Sequence, residues 1–243
     1  MVILHKKGYI RMNKFTGWVK HWYRYKTDEP YIIASALIGA ICLYASIMKD
    51  HKHHLLIYVL VLILIALWSL FRSVTFKKNY VRKFVKEHTF TNQQNGIDLG
   101  TGTGYGLIKL ARDTEIGKVC GVEDKYQYTV QRLEKNATLE RVRSKMNITT
   151  ADIQNIPYED KEFDVAMGIS ANGNQLSTPK KAVYQQIASE LDRVVKQDGI
   201  IFMVNTPRMT KKYANEFAKH GRHVEYMHRR FEKLFNLRAI VVK

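Results

Sequence analysis

The chain contains 243 residues, and its 39 lysines and arginines against 22 aspartates and glutamates give a formal net charge of +17 at pH 7. Its two cysteines lie in an apolar run and in a predicted buried strand, which excludes a disulfide framework and favours a reducing compartment. No group of cysteines and histidines has the spacing of a zinc site, so we expect no metal.

Two apolar segments come early in the chain. Residues 31–48 and 55–71 carry no charged side chain, and each is close to the ~20 residues that a membrane-spanning helix needs. Aromatic residues near the ends of these segments are typical of a membrane interface; they are Trp22, Tyr23, Tyr25, Tyr31 and Trp68. We therefore predict a basic arm over residues 1–30 and a transmembrane helical hairpin over residues 31–72.

A signal peptide and a buried soluble hairpin are the alternatives for these segments. A long basic flank, the lack of a small-residue cleavage motif and an immediate second apolar segment disfavour a signal peptide. The strongly apolar run at residues 55–65 disfavours a soluble hairpin.

The positive charge is distributed unevenly. The net charge is +5 over residues 1–30, +1 over 49–54, +5 over 72–90, −1 over 91–207 and +7 over 208–243. Because the flanks of the hairpin are more basic than its loop, we expect both ends of the chain on the cytoplasmic side, beside anionic lipid. This distribution disfavours a nucleic-acid partner, although the basic C-terminal segment leaves RNA open. The sequence favours no oligomeric state, and either Met1 or Met12 can begin the chain.

The most informative motif lies at residues 97–106, Ile-Asp-Leu-Gly-Thr-Gly-Thr-Gly-Tyr-Gly. An apolar strand ends in a glycine-rich loop that opens onto a predicted helix, which is suited to close approach by a ligand. The glycines do not have the G-x-G-x-x-G spacing of a dinucleotide site, and no P-loop Gly-Lys-Ser/Thr follows. The next strand, residues 118–122, ends before Glu123, where a carboxylate can accept ribose hydroxyls.

Strands and helices alternate through the rest of the chain. We predict strands at residues 96–100, 118–122, 147–151, 163–169 and 199–205, and helices at 79–88, 105–113, 126–139, 179–195 and 211–220. Residues 222–228 and 236–243 are typical of an antiparallel pair. The fold class is therefore α/β, a doubly wound sheet with an antiparallel C-terminal strand pair and ligands at the carboxyl ends of its strands.

The D-x-G-x-G-x-G pattern at residues 98–104 resembles the first motif of class I S-adenosylmethionine-dependent methyltransferases. Residues 149–153, 156–165 and 191–199 resemble three later motifs of the same family, in the family's order. In the last of them Gln-Asp replaces Pro-Gly, although Gly199 is kept for the turn. The resemblance covers about residues 79–243, and we take residues 73–243 as a Rossmann-like methyltransferase domain.

The resemblance implies S-adenosylmethionine as the cofactor. It assigns the methionine end to Gly100, Gly102 and Gly104, with Asp98 supporting the loop or the amino group. It assigns the ribose to Glu123, and the adenine to Asp152 and Ile153. Each acid also has a structural alternative, because Asp98 can cap a turn, Asp124 can replace Glu123, and Asp152 can be a strand-end turn residue.

The methyl acceptor is less well defined by the sequence. The exit of the fourth strand faces the methyl group in this family, so Ser170, Asn172 and Asn174 are candidate acceptor contacts, with a polar loop as the alternative. The exit lacks the Asn-Pro-Pro-Tyr pattern of enzymes that methylate nucleic-acid amino groups. No general base is evident, and His220, His223 and His228 are only candidates.

The whole layout resembles small bacterial membrane methyltransferases of unassigned substrate, and the motifs resemble methyltransferases of quinone biosynthesis. We therefore predict a membrane-anchored S-adenosylmethionine-dependent methyltransferase, with the bilayer and a lipid-phase or membrane-associated small molecule as partners. The alternatives are a methyltransferase of a membrane protein or RNA, and a cofactor-binding scaffold without turnover.

Overall fold

The computed structural model describes residues 30–50, 55–123, 127–170, 180–228 and 236–243. The basic arm and the loop between the two apolar segments lie outside these residues. Asn172, Asn174 and Pro179 lie outside them as well.

Two helices occupy the apolar segments. Helix α1 is Pro30–Asp50 and α2 is Leu56–Glu87, and they pack against each other. Many of their large apolar side chains face outward, including Ile38 at 60% and Ile41 at 68% exposure. In the part of the chain that the structure describes, no helix combines the length and apolarity required to cross a membrane. The helical hairpin is thus observed, whereas its predicted membrane crossing receives no support from this result.

Helix α2 continues without a break into the region for which a separate helix, residues 79–88, is predicted. That prediction is wrong about the boundary, because residues 72–78 contain no glycine or proline to end a helix. The predicted division between residues 72 and 73 therefore falls inside one helix of 32 residues.

The remaining elements follow in alternation. The strands are β1 Asn95–Leu99, β2 Lys118–Glu123, β3 Met146–Thr150, β4 Phe163–Ile169, β5 Val195–Asn205, β6 Val224–Met227 and β7 Arg238–Val242. The helices are α3 Tyr105–Asp113, α4 Gln127–Leu139, α5 Lys180–Val194 and α6 Pro207–Lys219, with a short 3₁₀ turn at Arg143–Lys145.

Two predicted boundaries needed correction. Strand β5 begins at Val195, four residues before the predicted start, because Val195 pairs with Phe163 across an irregular register. Helix α6 begins at Pro207 rather than Lys211, since proline is well suited to the first turn of a helix.

The strands form one seven-stranded sheet in the order β3-β2-β1-β4-β5-β7-β6. Strands β1 to β5 are parallel, and β7 is antiparallel to both β5 and β6. This confirms the predicted doubly wound sheet with an antiparallel C-terminal pair. The strand order reverses between β1 and β4, which opens a crevice at their carboxyl ends.

Apolar layers cover both faces of the sheet. The second half of α2 packs with α3 and α4 on one face, where the rings of Phe84 and Phe202 stack at 4.3 Å between centroids. Helices α5 and α6 cover the other face through buried residues such as Tyr213 and Phe217. The Tyr80 hydroxyl donates a hydrogen bond to the Leu237 carbonyl at 3.3 Å, which fixes α2 near the start of β7.

Candidate active site

The carboxyl ends of β1, β2, β3 and β4 bring most of the predicted site residues to one edge of the sheet. Residues Asp98 to Gly104 leave β1, Glu123 ends β2, Asp152 follows β3 and Ser170 follows β4. Because β1 lies between β2 and β4, the glycine loop occupies the centre of this edge.

The glycine loop is fastened to the end of β2. The Gly100 and Thr101 amides donate to the Val122 carbonyl at 2.9 and 3.2 Å, and the Thr101 hydroxyl donates to the Asp98 carbonyl at 2.8 Å. Gly100, Gly102 and Gly104 have φ values of +63°, +55° and +90°. Residues with a Cβ rarely adopt this left-handed region, so the loop conformation depends on the glycines.

Asp98 is a buried carboxyl group with an unsatisfied oxygen. Its side chain is 2% exposed, its Oδ2 accepts a hydrogen bond from the Leu107 amide at 3.1 Å, and its Oδ1 has no hydrogen-bond partner among the described residues. Burial raises the pKa of Asp98 to about 8, the Glu123 carboxylate adds to the rise, and the bond from Leu107 opposes it. A cationic ligand group would satisfy this carboxylate.

Glu123 also contacts the loop directly. Its Oε2 accepts a hydrogen bond from the Gly102 amide at 2.5 Å. The carboxylate predicted to hold a ribose is therefore within reach of both the loop and the open edge of the sheet.

The glycines differ in what surrounds them. A Cβ on Gly102 would have only the Gly100 carbonyl oxygen, at 3.9 Å, as a neighbour, so this position faces open space. A Cβ on Gly104 would lie 2.1 Å from Leu133 of α4. Gly102 thus leaves room for a ligand, whereas Gly104 allows the loop to pack on α4.

Sequence reasoning missed several residues that support the loop. Asn136 of α4 is 4% exposed, and its Nδ2 donates to the Thr103 carbonyl at 2.9 Å. Gly106 and Gly121 allow close packing beneath the loop, where a Cβ would lie 2.6 Å from Ile169 and 2.8 Å from Leu107 respectively. Asn136 is followed by Ala-Thr, which has the form of a glycosylation sequon, and this pattern gave no sign of its contact with the loop.

The two predicted adenine contacts have different surroundings. Asp152 is exposed at the turn after β3, and its Oδ1 accepts the Gln154 amide at 2.9 Å. Ile153 is 5% exposed and packs in the core with Ile156 and Phe163. Their role toward adenine stays a prediction.

The candidate acceptor region is described only in part. Ser170, directly after β4, lies in the left-handed region with φ +57°, and its amide donates to the Val204 carbonyl at 2.8 Å. Residues with a Cβ adopt this region only uncommonly. Asn172 and Asn174 lie outside the described residues.

The three candidate histidines are divided between the two edges of the sheet. The His223 amide pairs with Lys243 at the far end of β7, and His220 lies 3.9 Å from Asp192 near the start of β5. Both are at the opposite edge from the glycine loop. His228 directly follows β6, whose last residue pairs with Ala239, and it lies on the side of the loop. Within the described ranges, no cluster of metal-ligating residues is present.

Comparison with known proteins identifies the family. A family described as a methyltransferase domain matches residues 91–235, which is more than half of the chain. The chain belongs to this family. The methyltransferase domain thus includes the sheet from before β1 to the segment preceding β7, together with the glycine loop and Glu123.

A curated relative and solved structures are similar to this methyltransferase domain. A demethylmenaquinone methyltransferase of Staphylococcus saprophyticus is 26% identical over 137 residues, 55% of this chain and 53% of the relative. The chain therefore spans about half the length of that relative. Geranyl diphosphate C-methyltransferase of Streptomyces coelicolor, solved with Mg²⁺, geranyl diphosphate and S-adenosyl-L-homocysteine, is 11% identical with a TM-score of 0.53, over 73% of this chain and 82% of that one. Precorrin-6y C5,15-methyltransferase of Geobacter metallireducens is 14% identical with a TM-score of 0.51, over 69% of this chain and 86% of that one.

The residues at the carboxyl edge fit S-adenosylmethionine, the cofactor of these methyltransferases. The unsatisfied Oδ1 of Asp98 suits the ammonium of the methionine end, and Gly102 leaves space that a Cβ would fill. Glu123 suits the ribose hydroxyls. When bound, the cofactor supplies a methyl group activated by its sulfonium. The protein contributes binding, orientation and exclusion of water.

Proposed function

We propose that this protein is a membrane-anchored S-adenosylmethionine-dependent methyltransferase that transfers a methyl group to a lipid-phase or membrane-associated small molecule. The observation that carries the proposal is the path of α2. The helix brings the outward-facing apolar segment to the same edge of the sheet as the glycine loop.

Three contacts define the path of α2 across the sheet. Lys78 Nζ lies 5.9 Å from the ring centroid of Tyr105, the first residue of α3 after the loop. Tyr80 bonds to Leu237, next to the carboxyl end of β5, and Phe84 stacks on Phe202 in the middle of that strand. Residues 78 to 84 therefore run from the carboxyl edge toward the opposite edge, so the preceding apolar part of α2 extends beyond the carboxyl edge.

The apolar part of the hairpin supports association with a bilayer. Residues 31–48 and 55–71 carry no charge, and exposed apolar side chains occur on both helices. Exposed apolar surfaces of this extent mark contacts with membranes or proteins. The basic flanks favour a cytoplasmic position for both ends of the chain and for the methyltransferase domain.

The named residues then have distinct tasks in the proposed reaction. Asp98 and the glycine loop hold the methionine end, Glu123 holds the ribose, and Ser170 with the segment after β4 meets the acceptor. The likeness to demethylmenaquinone methyltransferase supports a quinone-like acceptor. Such an acceptor would reach the site from the side on which α2 leaves the sheet.

The first test uses full-length protein in detergent, methyl-labelled S-adenosylmethionine and host membranes, followed by separation of label into organic, protein and RNA fractions. Gly102→Ala serves as the binding-deficient variant. Gly221→Ala is the matched control, because Gly221 also has a positive φ, +80°, but nothing lies within 4 Å of the position that its new Cβ would take, which is remote from the loop.

We expect label in the organic phase with the unsubstituted protein and Gly221→Ala, and none with Gly102→Ala. Label in protein or RNA would overturn the lipid acceptor. Cofactor binding without any label would support a scaffold and overturn the transfer reaction. Separately, release of the protein from membranes by an alkaline wash would overturn the anchor without bearing on the chemistry.

A further inference from the structure

Basic side chains from two helices meet beside the glycine loop. Lys78 and Arg82 lie one turn apart on α2, and Lys109 and Arg112 lie on the neighbouring α3. We call these four residues the α2–α3 basic cluster. Tyr105 lies among them, and its ring centroid is 5.9 Å from Lys78 Nζ.

The spacing along each helix directs these side chains to one place. Lys78 and Arg82 are four residues apart, and Tyr105, Lys109 and Arg112 are spaced by four and three. Side chains at these spacings lie on one face of a helix. The two faces meet where α2 packs on α3.

The carboxylates near the cluster pair with its α3 residues rather than with its α2 residues. Arg112 pairs with Glu140 at 2.8 Å and with Asp113 at 2.6 Å, and Lys109 also pairs with Asp113. Within the described residues, neither Lys78 nor Arg82 forms a salt bridge with a carboxylate. The α2 half of the cluster therefore has excess positive charge.

The pKa values are consistent with this excess. Burial, together with the charges of Arg82 and Lys109, lowers the pKa of Lys78 to about 7. Burial and the charges of Arg112 and Arg82 lower the pKa of Lys109 to about 8, while Glu140 opposes the shift. Cations that repel one another at a half-buried place gain from a bound anion.

We propose that the α2–α3 basic cluster binds a phosphate group. A guanidinium can form paired hydrogen bonds with phosphate oxygens, and ammonium groups provide point charges around the same anion. Lys78, Arg82 and Lys109 are the ligands. Arg112 does not contact the phosphate but adds positive electrostatic potential at the site. The phosphate can belong to a lipid headgroup or to a free phosphate compound.

The position of the site gives it a role that goes beyond the proposed transfer reaction. The cluster lies at the foot of the apolar part of α2, and Tyr105 directly follows Gly104 of the loop. A phosphate here would draw α2 and α3 together next to the cofactor loop. Binding can be measured without cofactor or acceptor, so a failure of this proposal is distinct from a failure of the proposed function.

The test measures binding to full-length protein in an uncharged detergent by titration calorimetry. The probes are inorganic pyrophosphate, dihexanoylphosphatidylglycerol and dihexanoylphosphatidylcholine, the last as a zwitterionic comparison. The test variant is Lys78→Gln combined with Lys109→Gln. Lys86→Gln is the matched control, because Lys86 is an exposed lysine on the same helix outside the cluster.

We expect the double variant to bind at least tenfold more weakly and Lys86→Gln to bind within twofold of the unsubstituted protein. Preferential binding of phosphatidylglycerol would identify a lipid headgroup as the ligand, and preferential binding of pyrophosphate would identify a free phosphate compound. Absence of binding by both anionic probes, or equal loss in Lys86→Gln, would overturn the site. Thermal melting of both variants distinguishes lost binding from lost folding.

Discussion

The Glu123 carboxylate accepts a hydrogen bond from the Gly102 amide at 2.5 Å, which ties the end of β2 to the tip of the glycine loop. One side chain is therefore placed to set the loop conformation and to receive ribose hydroxyls. A charged acceptor makes stronger hydrogen bonds than a neutral one, so the negative charge contributes to both tasks.

Glu123→Gln should weaken cofactor binding about tenfold, because one charge-assisted hydrogen bond contributes on the order of 1.5–3 kcal/mol and the amide keeps part of it. Titration of S-adenosylmethionine into the purified protein measures the change. Glu115→Gln is the control, since Glu115 is exposed in the turn after α3. Equal affinity of the two variants would remove Glu123 from the binding site.

Asp98 should make cofactor binding depend on pH. Its pKa of about 8 lies above the ordinary value of 3.8, so the carboxyl group is largely protonated at pH 7 without ligand. Because the ammonium of the methionine end pairs with the ionised form, affinity should rise as the pH increases from about 6 to about 8, above which the α-ammonium of the ligand itself loses its proton. Asp98→Asn should bind weakly with a flatter profile, and an equally steep profile in that variant would assign the titration to another group.

Ionisation of the same carboxyl group should destabilise the folded protein as the pH rises, whereas it strengthens cofactor binding. A folded-state pKa above the unfolded value adds stability at low pH, and this contribution is lost as the pH rises from about 4 to about 8. The melting temperature of Asp98→Asn relative to the unsubstituted protein should therefore increase over that interval. A difference in melting temperature that does not vary with pH would show that Asp98 ionises normally.

Replacement of two loop glycines by alanine should have different effects, a loss of cofactor binding at Gly102 and a loss of stability at Gly104. Gly102→Ala keeps open space around its Cβ and should cost only the ~1–2 kcal/mol of a left-handed residue, while blocking the cofactor. Gly104→Ala forces its Cβ against Leu133 and should lower the melting temperature much further. Melting and binding measured together separate the two effects, and Gly221→Ala reports the backbone cost alone. Similar melting temperatures for Gly102→Ala and Gly104→Ala would contradict this distinction.

Asn136 should stabilise the glycine loop, whereas the exposed Asn147 should not. Asn136→Ala leaves the Thr103 carbonyl without its 2.9 Å donor and should lose about 1–3 kcal/mol of stability, with weaker cofactor binding. Asn147 begins a second Asn-x-Thr sequence, residues 147–149, and its side chain is exposed, so Asn147→Ala should change little. Chemical denaturation and cofactor titration provide the comparison, and equal losses would place the effect outside the loop.

The sheet and the glycine loop were predictable because they depend on local patterns. The helix at Tyr105–Asp113 and the strand at Phe163–Ile169 have the predicted bounds, since apolar periodicity and flanking turn residues define them. The left-handed φ values of Gly100, Gly102 and Gly104 agree with the expectation that this loop requires glycine.

The supporting residues were not predictable because their importance depends on contacts between distant elements. Asn136 is 33 positions from Thr103, and Gly121 is required because Leu107 and Thr101 pack against it. Ile153 follows an acid in the family's order, but nothing in that order shows that its side chain joins the core. The charges of Lys78 and Lys109 are evident in the sequence, yet their encounter depends on how α2 crosses α3.

Helix α2 joins the apolar segment to the sheet through 32 residues, about 48 Å, without a flexible linker. Each residue of an α-helix adds about 100° of rotation and 1.5 Å of rise. Insertion of one residue between positions 70 and 78 would therefore turn the glycine loop about a quarter of the way around the helix axis. The direction in which the loop faces relative to the apolar segment is set by the number of residues in one helix.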